Sequence, residues 1–315
     1  MYRLITTSRL NYAPIALFVY NRPWHTRQAV EALLANAIAA ETPLYIFSDA
    51  PRDPAAKQAV AEVRSYIHTI AGFESVTIIE REVNFGLARS IIDGVTRLCD
   101  EFGRAIVIED DLITSRYFLE YMNAALERYE HEESVMQIAG YMFPSRLETN
   151  EDALFLPFTS SWGWGTWKRA WQHFDSEASA YGRLAANPEL RHAFDIGGRY
   201  EYFRMLESQR RGDTDSWAIR WYLSVFMRKG LILYPRKTLV RNLGFDGSGV
   251  NCVASSIADD VIDQNFRVLL MPQHIEVTNE YNMVLESIPR PRLNLKTLMN
   301  RLQNLIKAAW YEKTN

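Results

Sequence analysis

Short apolar runs alternate with helical repeats through the first third of the chain. Pro14 to Tyr20 is a run of β-formers closed by Asn21-Arg22-Pro23, and it predicts a strand buried on both faces. Thr26 to Ile38 then repeats apolar residues (Val30, Leu33, Leu34, Ala37) at helical spacing. Pro43 to Phe47, Val76 to Ile79 and Arg104 to Ile108 predict three more buried strands, with helices expected over Ala55 to Ile70 and Leu87 to Phe102. This alternation implies βαβ units, and so an α/β fold with a mostly parallel sheet and helices on both faces.

The rest of the chain is less regular. Tyr117 to Tyr129 and Trp217 to Arg228 read as helices, and Val135 to Ala139 and Leu231 to Tyr234 as strands. Between them lie an aromatic stretch, Ser160 to Trp167, and later a glycine-rich loop, Gly244 to Gly249. No repeat or low-complexity linker divides the chain before residue 286. One unit is therefore expected over 1–286, with a sheet-forming half of about 13–112 and an irregular half of about 113–286. The tail, 287–315, opens with a stiff Pro-Arg break at Ile288 to Arg292. It then repeats apolar residues at helical spacing beside Lys296, Arg301 and Lys307. That composition suits a helix lying on an anionic membrane surface, or one docked on the main unit or on a partner chain.

Composition narrows the class. The 315 residues are 48% apolar and 23% charged, which is globular and not disordered. A net charge of -3 argues against a dedicated nucleic-acid binder. Cys99 and Cys252 form neither a disulfide framework nor zinc spacing, and fit a reducing compartment. No targeting signal or membrane-length apolar run is visible, so a cytoplasmic protein is expected, with the tail as a candidate contact to the membrane's inner face. Oligomeric state is left open.

Each strand of the first half ends in polar residues: Asn21-Arg22, Ser48-Asp49 and Glu109-Asp110-Asp111. Ligands of open α/β sheets bind at these carboxyl ends, although Asn, Asp and Ser also serve as turn residues and helix caps. Three adjacent carboxylates at a buried strand end repel one another, and a hard cation, Mn2+ or Mg2+, relieves that repulsion. Asn84 to Ser90 places Gly86 at a helix start, where backbone amides favour phosphate. Asp213 to Trp217 contains Asp215, a carboxylate suited to a catalytic base, although Asp215 or Ser216 also reads as a helix cap. Trp162, Trp164 and Trp167, separated by glycines, could face a sugar ring or pack in the core. The six histidines show no metal spacing, and no P-loop, nucleophile elbow or dinucleotide fingerprint is present.

Taken in order, these residues resemble the GT-A glycosyltransferases, nearest to the N-acetylglucosaminyltransferase I family and its bacterial relatives in surface-polysaccharide synthesis. The resemblance runs over about residues 13–252. It implies a Rossmann-like sheet followed by an irregular acceptor-side half. It also implies transfer of a sugar from a nucleotide-diphosphate donor, UDP-linked and of the UDP-GlcNAc kind, to a glycan or lipid-linked hydroxyl.

Roles follow by position. Asp49 would bind the uracil-type base, Glu109 and Asp110 the ribose or the transferred sugar, and Asp111 the cation. Arg22, Asn84 and Gly86 would contact the donor. Trp162, Gly163, Trp164 and Trp217 would form the acceptor side. Asp215 would deprotonate the acceptor for inverting displacement, with Asp213 as the fallback, because the family's Trp-Asp-Asp-Trp reads Thr214-Asp-Ser-Trp217 here.

A nucleotidyltransferase is the main alternative, but Tyr20 to Trp24 lacks the glycine-rich loop it needs after strand one. A catalytically inactive sugar-binding protein of the same fold is another, although the acid triplet and Asp215 are intact. A metal phosphohydrolase would need histidines near the triplet, and none is evident.

Overall fold

The computed structural model describes residues 12–145, 147, 149–246 and 261–288. The end of the glycine-rich loop and the basic tail beyond residue 288 lie outside the described residues.

The first half follows the predicted alternation. Strand β1 (Ile15–Val19) leads to helix α1 (Pro23–Leu34), then β2 (Pro43–Ser48), α2 (Lys57–Ile67), β3 (Ser75–Glu80), α3 (Gly86–Phe102) and β4 (Arg104–Glu109). Helix α1 begins three residues earlier than its apolar repeat suggests, because Pro23 at its first position fixes a helical φ. Then come β5 (Leu112–Thr114), α4 (Phe118–Arg128), β6 (Val135–Ala139), β7 (Ala153–Leu156) and β8 (Trp164–Trp167). Four short helices follow: α5 (Lys168–Trp171), α6 (Tyr181–Ala186), α7 (Pro188–Phe194) and α8 (Tyr202–Arg211). The chain continues through α9 (Trp217–Met227), β9 (Leu231–Pro235), β10 (Val240–Asn242) and α10 (Glu280–Ser287).

Eight strands form one sheet in the order β3-β2-β1-β4-β8-β6-β9-β7, and β5 pairs with β10 in a separate two-stranded ribbon. Strands β3, β2, β1 and β4 are parallel, and β6 and β9 run with them. Only β8 and β7 run against the rest of this sheet. The α/β class and the mostly parallel sheet are therefore as expected.

From β1 the chain steps outward through β2 to β3, then returns past β1 to β4. Right-handed crossovers put α1 and α2 on one face and α3 on the other. The contacts agree: α1 packs on α2, and α3 packs on α5 and α9. The reversal of direction leaves a crevice between the carboxyl ends of β1 and β4, the place where open α/β sheets hold ligands.

The second half of the aromatic stretch, Trp164 to Trp167, is a strand, which overturns the acceptor role expected of Trp164. Trp164 and Trp167 on β8 have 0% and 1% of their surface exposed. Trp164 stacks on Trp217 with ring centroids 5.1 Å apart, and Trp171 and Trp221 join the cluster. β8 is wedged between β4 and β6 and covered on both faces, so tryptophan supplies core volume there. Trp164 and Trp217 are thus not acceptor contacts.

Gly163 is not one either. It sits at φ +61, and a Cβ there would come within 2.7 Å of Val240. Its small size serves packing inside the protein.

Candidate functional site

Side chains from two chain segments meet at the β1/β4 crevice. Arg22 follows β1, Glu109 ends β4, and Asp110 and Asp111 form the turn into β5. One guanidinium nitrogen of Arg22, Nη2, donates to both acids: 3.0 Å to Asp110 Oδ1 and 2.9 Å to Asp111 Oδ2. The other, Nη1, is buried and has no hydrogen-bond partner among the described residues. Tyr20 adds a backbone N–H to Asp110 Oδ2 at 3.4 Å.

One guanidinium does not satisfy three carboxyls. Burial, followed by Asp111 and Asp110, pushes the Glu109 carboxyl up to about 8 against the opposing pull of Arg22. Burial also raises Asp110 to about 6, although Arg22 draws it down.

The segment after β10 covers the other side of Asp111. Leu243 N–H donates to the Asp111 carbonyl at 2.8 Å. The Gly244 N–H donates to Asn242 Oδ1 at 2.6 Å. A Cβ on Gly244 would lie 2.3 Å from Asp111 Oδ2, so no larger residue fits without displacement. Asp246 reaches back to α1, with Oδ2 3.2 Å from His25 Nε2. The partly exposed Trp162 packs against Tyr141 and Phe245 beside this segment.

Asp49 lies at the end of β2, on the same sheet edge, in a contrasting setting. Its Oδ1 accepts from Phe85 N–H at 2.8 Å and Ala50 N–H at 2.9 Å. Its Oδ2 accepts from Gly86 N–H at 2.9 Å and Asn84 Nδ2 at 3.1 Å. Asn84 Nδ2 also donates to the Ala50 carbonyl at 2.7 Å. Asp49 therefore caps helix α3 from outside, filling the anion position expected for a phosphate. The amide of Gly86, Asn84 Nδ2 and both oxygens of Asp49 are engaged within the protein. These bonds give the three residues a positioning role at the start of α3.

The candidate bases sit at the start of α9. Ser216 is the cap, its hydroxyl accepting from Ile219 N–H at 3.4 Å. Asp215 is left exposed, ion-paired to Arg220 at 2.7 Å. Asp213, also exposed, pairs with Arg211 at 2.8 Å.

Sequence reasoning missed Tyr20, His25, Asn242 and Asp246. Their partners lie on other elements, and the local pattern around each carries no signal of them.

Among the described residues, no three His, Cys, Asp or Glu side chains are arranged to hold a metal ion. The donor chemistry still fits a hard cation. Adjacent buried carboxylates, two of them with raised affinity for protons, suit an oxygen-ligated ion. Arg22 holds one oxygen of each aspartate, so the fit requires it to give way.

No described helix is long and apolar enough to cross a membrane. No family model and no curated protein sequence matches the chain. Three solved structures illustrate its similarities. Mannosyltransferase PcManGT from Pyrobaculum calidifontis, in complex with GDP-Man and Mn2+, is 14% identical over 43% of this chain and 37% of that one, with a TM-score of 0.32. TarS of S. aureus is 13% identical over 73% of this chain and 36% of that one, at 0.40. Mouse xyloside xylosyltransferase 1 is 11% identical over 69% and 82%, at 0.35. The chain thus spans little more than a third of the length of the first two.

Proposed function

We propose that this protein is a metal-assisted glycosyltransferase, on the pattern of the N-acetylglucosaminyltransferase I family, that takes a nucleotide-diphosphate sugar as donor and a glycan or lipid-linked hydroxyl as acceptor. One observation carries the reading. An arginine and three consecutive carboxyls, with too little cation among them, converge on the ligand crevice between β1 and β4. A nucleotide diphosphate needs this pairing of a basic group for its phosphates and hard oxygen ligands for a cation.

Asp111 holds the cation, Mn2+ or Mg2+. When bound, it supplies charge neutralisation of the departing diphosphate. Asp110 and Glu109 face the ribose and the transferred sugar. Asp49 fixes the start of α3, and through it the base-side wall. Trp162, partly exposed beside Phe245, offers the aromatic face for a sugar ring.

Asp215 receives the acceptor proton. The acceptor oxygen bonds to the anomeric carbon as the bond to the diphosphate breaks, so the configuration inverts. A UDP-linked donor, with UDP-GlcNAc as its example, is what the family resemblance implies.

The test is calorimetric titration of UDP-, GDP- and dTDP-sugars, with Mn2+ and with chelator, on wild type and Asp111→Ala. Metal-dependent binding of one nucleotide sugar, lost in the variant, supports the reading and identifies the donor. No binding anywhere in the panel overturns it.

A further inference from the structure

We infer that Arg22 is a resident counter-cation of the acid triplet, and that it exchanges places with the divalent ion when the donor binds. This deepens the reading above and rests on it.

The argument starts from geometry. Nη2 of Arg22 occupies Asp111 Oδ2 at 2.9 Å and Asp110 Oδ1 at 3.0 Å. Both aspartates are almost wholly buried, so this is a weakly screened, low-dielectric pair and not a solvated surface bridge. A doubly charged ion on Asp111 would share that carboxylate with the guanidinium, which holds Oδ2. It would also bring a second cation against the first, with little water between them. The two cations therefore exclude each other at Asp111.

Arg22 also has somewhere to go. Its Nη1 is buried with no hydrogen-bond partner among the described residues, so the side chain leaves a donor unused in its present place. The planar fork of a guanidinium matches a phosphate better than it matches a single shared nitrogen on two acids. A diphosphate in the crevice offers both nitrogens an acceptor as the carboxylates pass to the metal. Leu243 and Gly244 lie against Asp111 from the other side, which leaves the crevice as the direction of exchange.

The exchange has a thermodynamic consequence. Metal and nucleotide each bind weakly alone, because each meets an Arg22 placed for the other state. Together they bind cooperatively, and linkage makes the coupling equal in both directions.

The test is Mn2+ affinity by electron paramagnetic resonance, with and without UDP, on the full chain. Wild type, Arg22→Gln and Arg22→Lys are compared, with thermal melts to confirm folding. Arg22→Gln is expected to bind Mn2+ alone about tenfold more tightly than wild type, to bind UDP more weakly, and to lose the coupling between them. Arg22→Lys keeps the charge and is expected to retain the exclusion of Mn2+.

If Arg22→Gln gains no Mn2+ affinity, the counter-cation role is overturned, whatever the nucleotide does. If wild type binds no nucleotide sugar while Arg22→Gln still gains Mn2+, the functional reading falls and the counter-cation role stands. If Arg22→Gln fails to fold, Arg22→Lys decides: Mn2+ binding about tenfold tighter than wild type overturns the inference, and wild-type exclusion supports it.

Discussion

Asp49 and Asp110 follow β2 and β4, the strands on either side of β1, yet their surroundings are opposite. Asp49 accepts hydrogen bonds from three backbone amides and one side-chain amide, so its charge is fully matched by donors. Asp110 shares a single guanidinium with Asp111, beside a Glu109 whose carboxyl is pushed up to about 8. The same residue type is fully satisfied where amides surround it and left with unmet charge where they do not. Burial alone does not separate the two, since both aspartates are buried.

Substitutions can break this contrast. The largest effect is expected at the β2 side: Asp49→Ala leaves the amides of Phe85 and Gly86 unpaired and should cost about 3 kcal/mol in urea unfolding. A near-neutral result would mean α3 does not depend on this cap. On the β4 side the change should appear in binding. Asp111→Ala is expected to weaken nucleotide-sugar binding in Mn2+ by about 100-fold, while unfolding in the absence of ligand changes little or becomes harder. Equal damage to folding and binding would place Asp111 in the same class as Asp49.

The third effect is a pH dependence. Unfolded Glu109 gives up its proton near its ordinary value of 4.5, whereas the folded carboxyl keeps it until about 8. Between these values the unfolded chain binds fewer protons, so stability falls as pH rises. Asp110, raised to about 6, acts with the same sign. Urea titrations at pH 5.5 and 8.5 should show wild type less stable at the higher pH, and Glu109→Gln should remove most of that difference. A wild-type stability that rises over this range would contradict the stated charge imbalance. The smallest effect is expected for Asn84→Ala, which removes one of four donors to Asp49 and should cost about 1 kcal/mol.

How much of this was legible depended on whether the signal was local. The run Pro14 to Tyr20 and its successors announced the parallel strands, because burial on both faces leaves continuous apolar sequence. The acid triplet could be placed at a ligand edge because its strand could be placed. The partners of Asp49 could not be read, since the amides of Phe85 and Gly86 lie 36 and 37 residues away. The tryptophans misled for a different reason. Trp164 to Trp167 is a four-residue strand with every residue buried, and so short a run has no period that distinguishes a strand from a binding loop. Gly163, expected on the acceptor side, is instead buried at φ +61, where a Cβ would meet Val240.

The position of β8 also bears on synthesis of the chain. It lies between β4 and β6 in the sheet but follows both in sequence. A nascent chain that has emerged only as far as β7 has β1 to β4 ready to pair, with no neighbour for the free side of β4. That edge is apolar and unpaired until Trp164 to Trp167 arrive, a template for contact with other chains. For this protein, the interval between the appearance of residue 109 and residue 167 is therefore when a chaperone would matter most.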